Sequence, residues 1–256
     1  MVFELEFFKL VLLVMVRFSG LIVSAPILGS ANFPIAGKVG LSFFSALLVT
    51  PALAQQPETL PSGMLAFAVL GLGELAIGLT IGFMLTIIFA AIQIAGQIMD
   101  MLTGFALINV FNPALETQVP IFGFFYFLIA ALYLLVTGGH RLMLLGLSES
   151  FKAVPLGGFI LEPALLRDIA TLGGSMFYYG LIIAAPVAAA MFLAYVTLGL
   201  LSRVVPQIQL FVVGFPITIA AGLFMVAAVM SVYVNVLDSV FDKTFVDMAK
   251  MIRSMG

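Results

Sequence analysis

Apolar stretches recur at about residues 7–28, 39–54, 64–98, 119–137, 172–202 and 210–237. A helix rises about 1.5 Å per residue and the hydrocarbon core of a bilayer is about 30 Å thick, so about 20 apolar residues suffice to cross it. A soluble fold of 256 residues has no core large enough to hide so many such segments. Apolar residues make up 63% of the chain and charged residues 9%, against about 45–50% and about 25% in soluble domains. The chain therefore reads as an all-α integral membrane protein. The first, second and fourth stretches are close to the spanning length or slightly below it, and the others exceed it. The third would reach roughly 50 Å as one straight helix, so it must tilt, break or project beyond the bilayer. Gly71, Gly73, Gly78 and Gly82 within it suit a break or a close helix contact. Pro186 and Pro216 fall inside the last two stretches and are expected to kink them or to divide them into helical hairpins. The stretches count hydrophobic segments, not crossings.

Charge and composition exclude several classes. A net charge of −2 gives no basic surface for nucleic acid. With no cysteine there is no disulfide, thiolate nucleophile or cysteine-based metal site, and a single histidine argues against a zinc enzyme. No phosphate-binding glycine loop, nucleophile elbow or acid pair at helical spacing is present, so neither enzyme nor cofactor is expected. The start carries Glu4 and Glu6, and Arg17 interrupts the first stretch, which reads as a retained helix and not a cleaved signal. No linker, repeat or low-complexity segment divides the chain, so 1–256 reads as one membrane domain. If every stretch crosses once, the termini share a side with Arg141, Lys152, Arg167, Lys243, Lys250 and Arg253, while Lys38 and Arg203 lie opposite. The positive-inside rule then places both termini in the cytoplasm. Residues 238–253 are amphipathic, with Val240, Phe241, Phe245, Met248 and Ile252 at helical spacing and Asp238, Asp242 and Asp247 preceding Lys250 and Arg253. They suit the membrane surface or a partner.

Arg17, Glu74, Asp100 and Arg203 lie within or at the ends of apolar stretches. An ionised group facing lipid is costly, so each must face protein, water or a headgroup. Two readings stand: a polar conduit or ion-coupling site, and structural pairing within a bundle or between subunits. Asp100 and Arg203, beside loops, favour the second. His140, beside Gly138 and Gly139, reads as a helix-end residue satisfying carbonyls. Gly96 to Pro120 is apolar yet rich in turn formers, and Asn112-Pro113 and Val119-Pro120 disfavour continued helix. Irregular backbone at membrane depth is tolerated only where it is buried in protein or lines a cavity. The segment is therefore a pore-closing or re-entrant loop carrying Phe105, Leu107, Ile108, Val110 and Phe111, or an ordinary connection.

The run Leu201-Ser202-Arg203-Val204-Val205-Pro206-Gln207-Ile208-Gln209-Leu210-Phe211-Val212-Val213-Gly214-Phe215-Pro216 resembles the signature of the FliR family of type III export-gate proteins. It has Gln209 where asparagine is usual and Thr218 where lysine often follows. Gly96, Gln97, Asp100, Gly104, Phe105, Pro113, Gln118 and Pro120 match the family's loop pattern, with Asn112 in place of a common aspartate. Gly139-His140-Arg141 resembles a Gly-His-His element. Ser150-Phe151, Pro155 and Gly157, and further upstream Arg17, Gly20, Pro26, Pro34 and Lys38, fit at familiar spacing.

The resemblance covers nearly the whole chain. It implies a FliP-like part over about 1–200, followed by a FliQ-like hairpin and amphipathic tail over about 201–256, built from long, kinked helices. It implies partners: FliP-like and FliQ-like membrane subunits, an FlhB-like gate subunit, unfolded flagellar export substrates and membrane lipid. It places the chain in the bacterial inner membrane, in the flagellar basal body. It also implies a plug loop over about Gly104 to Gln118. On that basis Phe105, Leu107, Ile108, Val110, Phe111 and Leu115 are expected to close the pore, and Gln97, Asp100, Asn109 and Asn112 to orient the loop or line the path. Arg17, Glu74, Arg203 and Gln207 are assigned to assembly. The runner-up is a stand-alone small-solute secondary transporter with Arg17, Glu74 and Asp100 as a midplane cluster. A third reading is a membrane scaffold with no conduit of its own.

Overall fold

The computed structural model describes residues 2–53, 61, 63–106, 120–205 and 213–255, with side chains from Leu5 onward. Regular structure among them is helical throughout: α1 (Val2–Ser24), α2 (Ile35–Leu53), α3 (Met64–Thr103), α4 (Ile121–Val136), α5 (Gly139–Ala153), α6 (Pro163–Val204) and α7 (Phe215–Arg253). Five of these, α1, α2, α3, α6 and α7, are long and apolar enough to cross a membrane. The pair α4 and α5, bent by 63° at its break, passes the same test as a sixth span.

Local chemistry sets the boundaries. Pro163 opens α6, where a missing N–H breaks no helical hydrogen bond. Pro216 is the second residue of α7 and follows directly on a π-helical turn at Val213 and Gly214. Pro186 is interior, yet α6 remains one 42-residue helix through it. The 40 residues of α3 likewise form one helix, about 60 Å long at the usual rise, so the glycines do not break it. Gly138, with φ 74°, turns the chain between α4 and α5. The helix α5 lies in a stretch too polar to stand out in the sequence. Met143, Leu147 and Phe151, four residues apart, form its buried face.

The helices pack as two compact units, each drawn from separated stretches of chain. Unit 1 holds residues 1–87, 134–173 and 242–256; unit 2 holds 88–133 and 174–241. In unit 1, α1 and the first part of α3 run in the same direction. Arg17, Gly20 and Ser24 meet Glu74 and Gly78, then Leu75 and Leu79, then Gly82 and Thr86, in that order. Their backbones touch. A Cβ on Gly20 would lie 2.7 Å from the Leu75 carbonyl oxygen, and one on Gly78 would press into the Arg17 carbonyl and come within 2.9 Å of the Leu21 nitrogen. Small residues spaced four apart are the usual means of such close approach in membranes, where apolar burial drives little helix association. The hydroxyl of Thr86 donates to the Ser24 carbonyl at 2.5 Å across the same seam. The side chain of Lys38 donates to the Gly29 carbonyl at 2.8 Å and closes the turn between α1 and α2. The residues of α7 from Asp242 onward also belong to unit 1. Met248 packs against Gly146 of α5, and Ile160 N donates to the Met255 carbonyl at 3.3 Å. The amphipathic tail is thus a continuation of α7 whose apolar side, with Met248 and Ile252 buried, rests on its own chain.

In unit 2 the end of α3 is the common neighbour of three helices. Gly96 abuts Gly123 of α4, Gly180 of α6 lies against Ala91 and Ile94, and Thr103 fills the space beside Gly222 of α7. Tyrosine hydroxyls tie the helices together: Tyr195 donates to the Leu102 carbonyl at 2.7 Å and Tyr233 to the Tyr126 carbonyl at 2.8 Å. These tyrosines give each hydroxyl a carbonyl partner while the ring packs.

The glycine seam is testable by substitution. Gly78→Ala is expected to destabilise the purified protein in mild detergent by about 1–3 kcal/mol, the cost of forcing two backbones apart. Gly40→Ala in α2, where a Cβ meets nothing within 4 Å, is expected to be neutral or to stabilise by up to about 1 kcal/mol. Thermal unfolding of the two variants side by side checks the contrast.

Candidate functional site

Deepest in unit 1 lies an ion pair. Arg17 of α1 and Glu74 of α3 are both 0% exposed, and Arg17 Nε donates to Glu74 Oε2 at 2.5 Å. Two buried charges cost more in desolvation than a bare contact returns, unless further hydrogen bonds complete the pair. Here they do. Arg17 Nη1 donates to Ser150 Oγ at 3.0 Å and Nη2 to the Val154 carbonyl at 3.0 Å. The guanidinium carbon sits 3.9 Å from the centroid of the Phe151 ring, an attractive cation–π placement. Glu74 Oε1 accepts from Gly157 N at 3.0 Å. The turn carrying Gly157, whose φ is 78°, brings that N–H to the carboxylate. The network therefore gathers α1, α3, the end of α5 and the connection from α5 to α6. Ser150, Phe151 and Gly157 stood in the sequence only as parts of the family pattern. Their spacing carried no sign that they complete an ion pair, because the partners are 57 to 137 residues apart.

Both charges are satisfied inside the chain, and neither side chain is exposed. Nor do they form the midplane cluster of the transporter reading. Asp100 is about seven helical turns further along α3 than Glu74, and it makes a different contact. Among the described residues no group of three or more His, Cys, Asp or Glu could hold a metal ion.

The second constellation lies in unit 2, at the root of the loop singled out in the sequence. Asp100 is 4% exposed, and its Oδ1 accepts from Phe122 N at 3.2 Å. Phe122 is in the first turn of α4, where N–H groups lack helical partners and negative charge is favoured. Asp100 Oδ2 has no hydrogen-bond partner among the described residues. Just beyond, Gly104 has φ 92° and a position for Cβ only 3.2 Å from the Phe215 ring, so it serves both to turn the chain out of α3 and to make room. The Phe105 ring, half-buried, stacks edge-on against Phe122 with centroids 5.0 Å apart. Asp100 and Phe105 thus bring the start of the loop to the place where it ends.

The other expected site residues divide into two groups. Gln97 is exposed on α3, and Arg203 is exposed in the last turn of α6. Leu107, Ile108, Asn109, Val110, Phe111, Asn112, Leu115 and Gln207 lie outside the described residues. His140 is the second residue of α5 and exposed. At that helix start the unpaired backbone groups are N–H donors and not carbonyls, so the carbonyl-satisfying role expected for it is not the one it has.

Apolar helices of spanning length, charges hidden in a closed network and small-residue contacts between helices define a multi-pass helical membrane protein. The family model of bacterial export proteins, family 1, matches residues 8–244. The chain is 32% identical over 258 residues to the flagellar biosynthetic protein FliR of Bacillus subtilis (strain 168), covering 98% of both chains. It is 28% identical over 241 residues to the Escherichia coli (strain K12) protein of that name, covering 94% of this chain and 92% of the relative. Against the Aquifex aeolicus (strain VF5) protein of that name it is 30% identical over 223 residues, covering 86% of this chain and 84% of the relative. The chain belongs to the bacterial export protein family, family 1.

The ion-pair network predicts a specific pattern of losses. Arg17→Ala and Glu74→Ala are each expected to destabilise the protein by about 3–5 kcal/mol, since each leaves an uncompensated buried charge. The double variant Arg17→Ala with Glu74→Ala should lose less than the sum of the two. Thermal unfolding in mild detergent, compared as a double-mutant cycle, measures the coupling; a double variant as unstable as the sum of the single ones would show that the two charges do not interact.

Proposed function

We propose that the chain is a subunit of the flagellar type III export gate in the bacterial inner membrane, at the flagellar basal body. In this role it forms, with FliP-like and FliQ-like membrane subunits, a gated conduit for unfolded flagellar subunits, and an FlhB-like subunit joins the assembly. The observation that carries this reading is likeness along nearly the full length to proteins named flagellar biosynthetic protein FliR. Residues of about 1–200 act as a FliP-like part and about 201–256 as a FliQ-like part. The many apolar side chains left exposed on α2, α6 and α7, among them Leu48, Phe192 and Phe224, support a molecule that completes its packing against lipid and partner subunits. Arg203 and Gln207 serve assembly.

The chain supplies the loop that shuts the conduit. Phe105, Leu107, Ile108, Val110, Phe111 and Leu115 exclude water and ions by making the constriction too apolar to stay wet. Gln97, Asp100, Asn109 and Asn112 orient the loop or line the path. The Asp100–Phe122 and Phe105–Phe122 contacts support this, because they hold the two ends of the segment together. Passage needs no bond chemistry from this chain; the driving energy comes from partners.

Two measurements test the reading. Mild-detergent purification of the tagged chain from its native membrane should recover FliP-like and FliQ-like proteins in one stable complex; a chain that emerges alone and monodisperse would refute the assembly. Deleting residues 106–117 in an assembled complex should make the membrane leaky to small ions. An unchanged leak would leave an assembled scaffold without the plug.

A further inference from the structure

We propose that the groove between α5 and the last turns of α7 holds a single phospholipid and prefers an anionic headgroup. The groove has a volume of about 660 Å³ and lies wholly within unit 1. Its walls are Leu142, Leu145 and Gly146 from α5 and Phe245, Met248 and Ile252 from α7. Leu142 and Leu145 are 46% and 53% exposed, and Met248 and Ile252 are buried beside them.

Polarity changes along the length of this groove and not across it. The end at Leu142 and Phe245 is apolar, whereas Glu149, Lys152 and Arg253 line the opposite end, about 15 Å away along α5. An amphipathic helix changes polarity across its axis, so it would set apolar groups against one wall along its whole length and leave that charged end unanswered. A phospholipid changes polarity end to end, as the groove does. At the charged end Lys152 Nζ pairs with Glu149 at 2.8 Å, which leaves Arg253, in the last turn of α7, as the charge with no side-chain partner among the described residues. A guanidinium presents its donors in a planar fork that matches two phosphate oxygens. The excess of one positive charge disfavours a choline or ethanolamine ammonium beside the phosphate, and so selects a headgroup of net negative charge. Lipid is also the amphiphile that a chain with five helices of spanning length always meets.

The full chain, purified in mild detergent, is titrated with phosphatidylglycerol and separately with phosphatidylcholine of the same acyl chains, and bound lipid is counted by native mass spectrometry. Phosphatidylglycerol should bind about fivefold more tightly, the scale of one cation at a membrane surface. Arg253→Gln should remove most of that preference, Leu145→Gln should weaken both lipids alike, and Arg167→Gln, an exposed cation outside the groove, should change neither. Equal binding of the two lipids, or a preference that survives Arg253→Gln, overturns the proposal. Should Arg253→Gln fail to fold, a photo-crosslinking residue placed at Leu142 in native membranes decides it. An adduct of phospholipid mass supports the site, and a polypeptide adduct or none refutes it.

Discussion

A guanidinium with no exposure to solvent, on the first helix of a membrane protein, is tolerable only if every one of its demands is met. Arg17 meets Glu74 at 2.5 Å, Ser150, the Val154 carbonyl and the face of Phe151, and Glu74 takes the Gly157 N–H as well. Leaving one of the two charges unpaired in low dielectric costs about 3–5 kcal/mol. The pair therefore fixes which helices stand together in unit 1 and where the connection after α5 lies. A purely apolar seam would allow sliding by one turn at modest cost; this network does not.

That network depends in turn on backbones that nearly touch. Arg17 reaches Glu74 because Gly20, Gly78 and Gly82 let α1 and α3 approach until carbonyls and N–H groups stand in place of side chains. The long α3 then continues into unit 2, where Gly96 and Thr103 repeat the tactic against α4 and α7. Asp100, one turn on from Gly96, uses the closeness to cap α4. Small residues thus set distances, and a few charged or hydroxyl groups set register. Many large apolar side chains, among them Leu48, Phe192 and Phe224, face outward, toward whatever surrounds the chain.

Membrane class and helical content were legible in the sequence, since about 20 apolar residues in a row have few other uses. The charges that had to be buried or paired were legible too, and so was the family, through the spacing around Arg203 and Gly104. Other features were not. The sequence did not reveal α5, because a 15-residue amphipathic helix with Glu149, Lys152 and Arg141 lacks the apolar run that flags a span. It left the tail after Asp238 between membrane and partner, and the chain's own α5 covers it.

By itself, then, the sequence determined the solvent, the element type and the residues that cannot face lipid, because each of these follows from hydropathy and spacing along one segment. Tertiary structure alone decided the partners. That Arg17 closes onto Glu74 and not onto Asp100, that Phe105 stacks on Phe122, and that Met248 settles beside Gly146 are choices among segments far apart in the chain. They are settled by which helices can approach closely enough, and no local pattern encodes that distance.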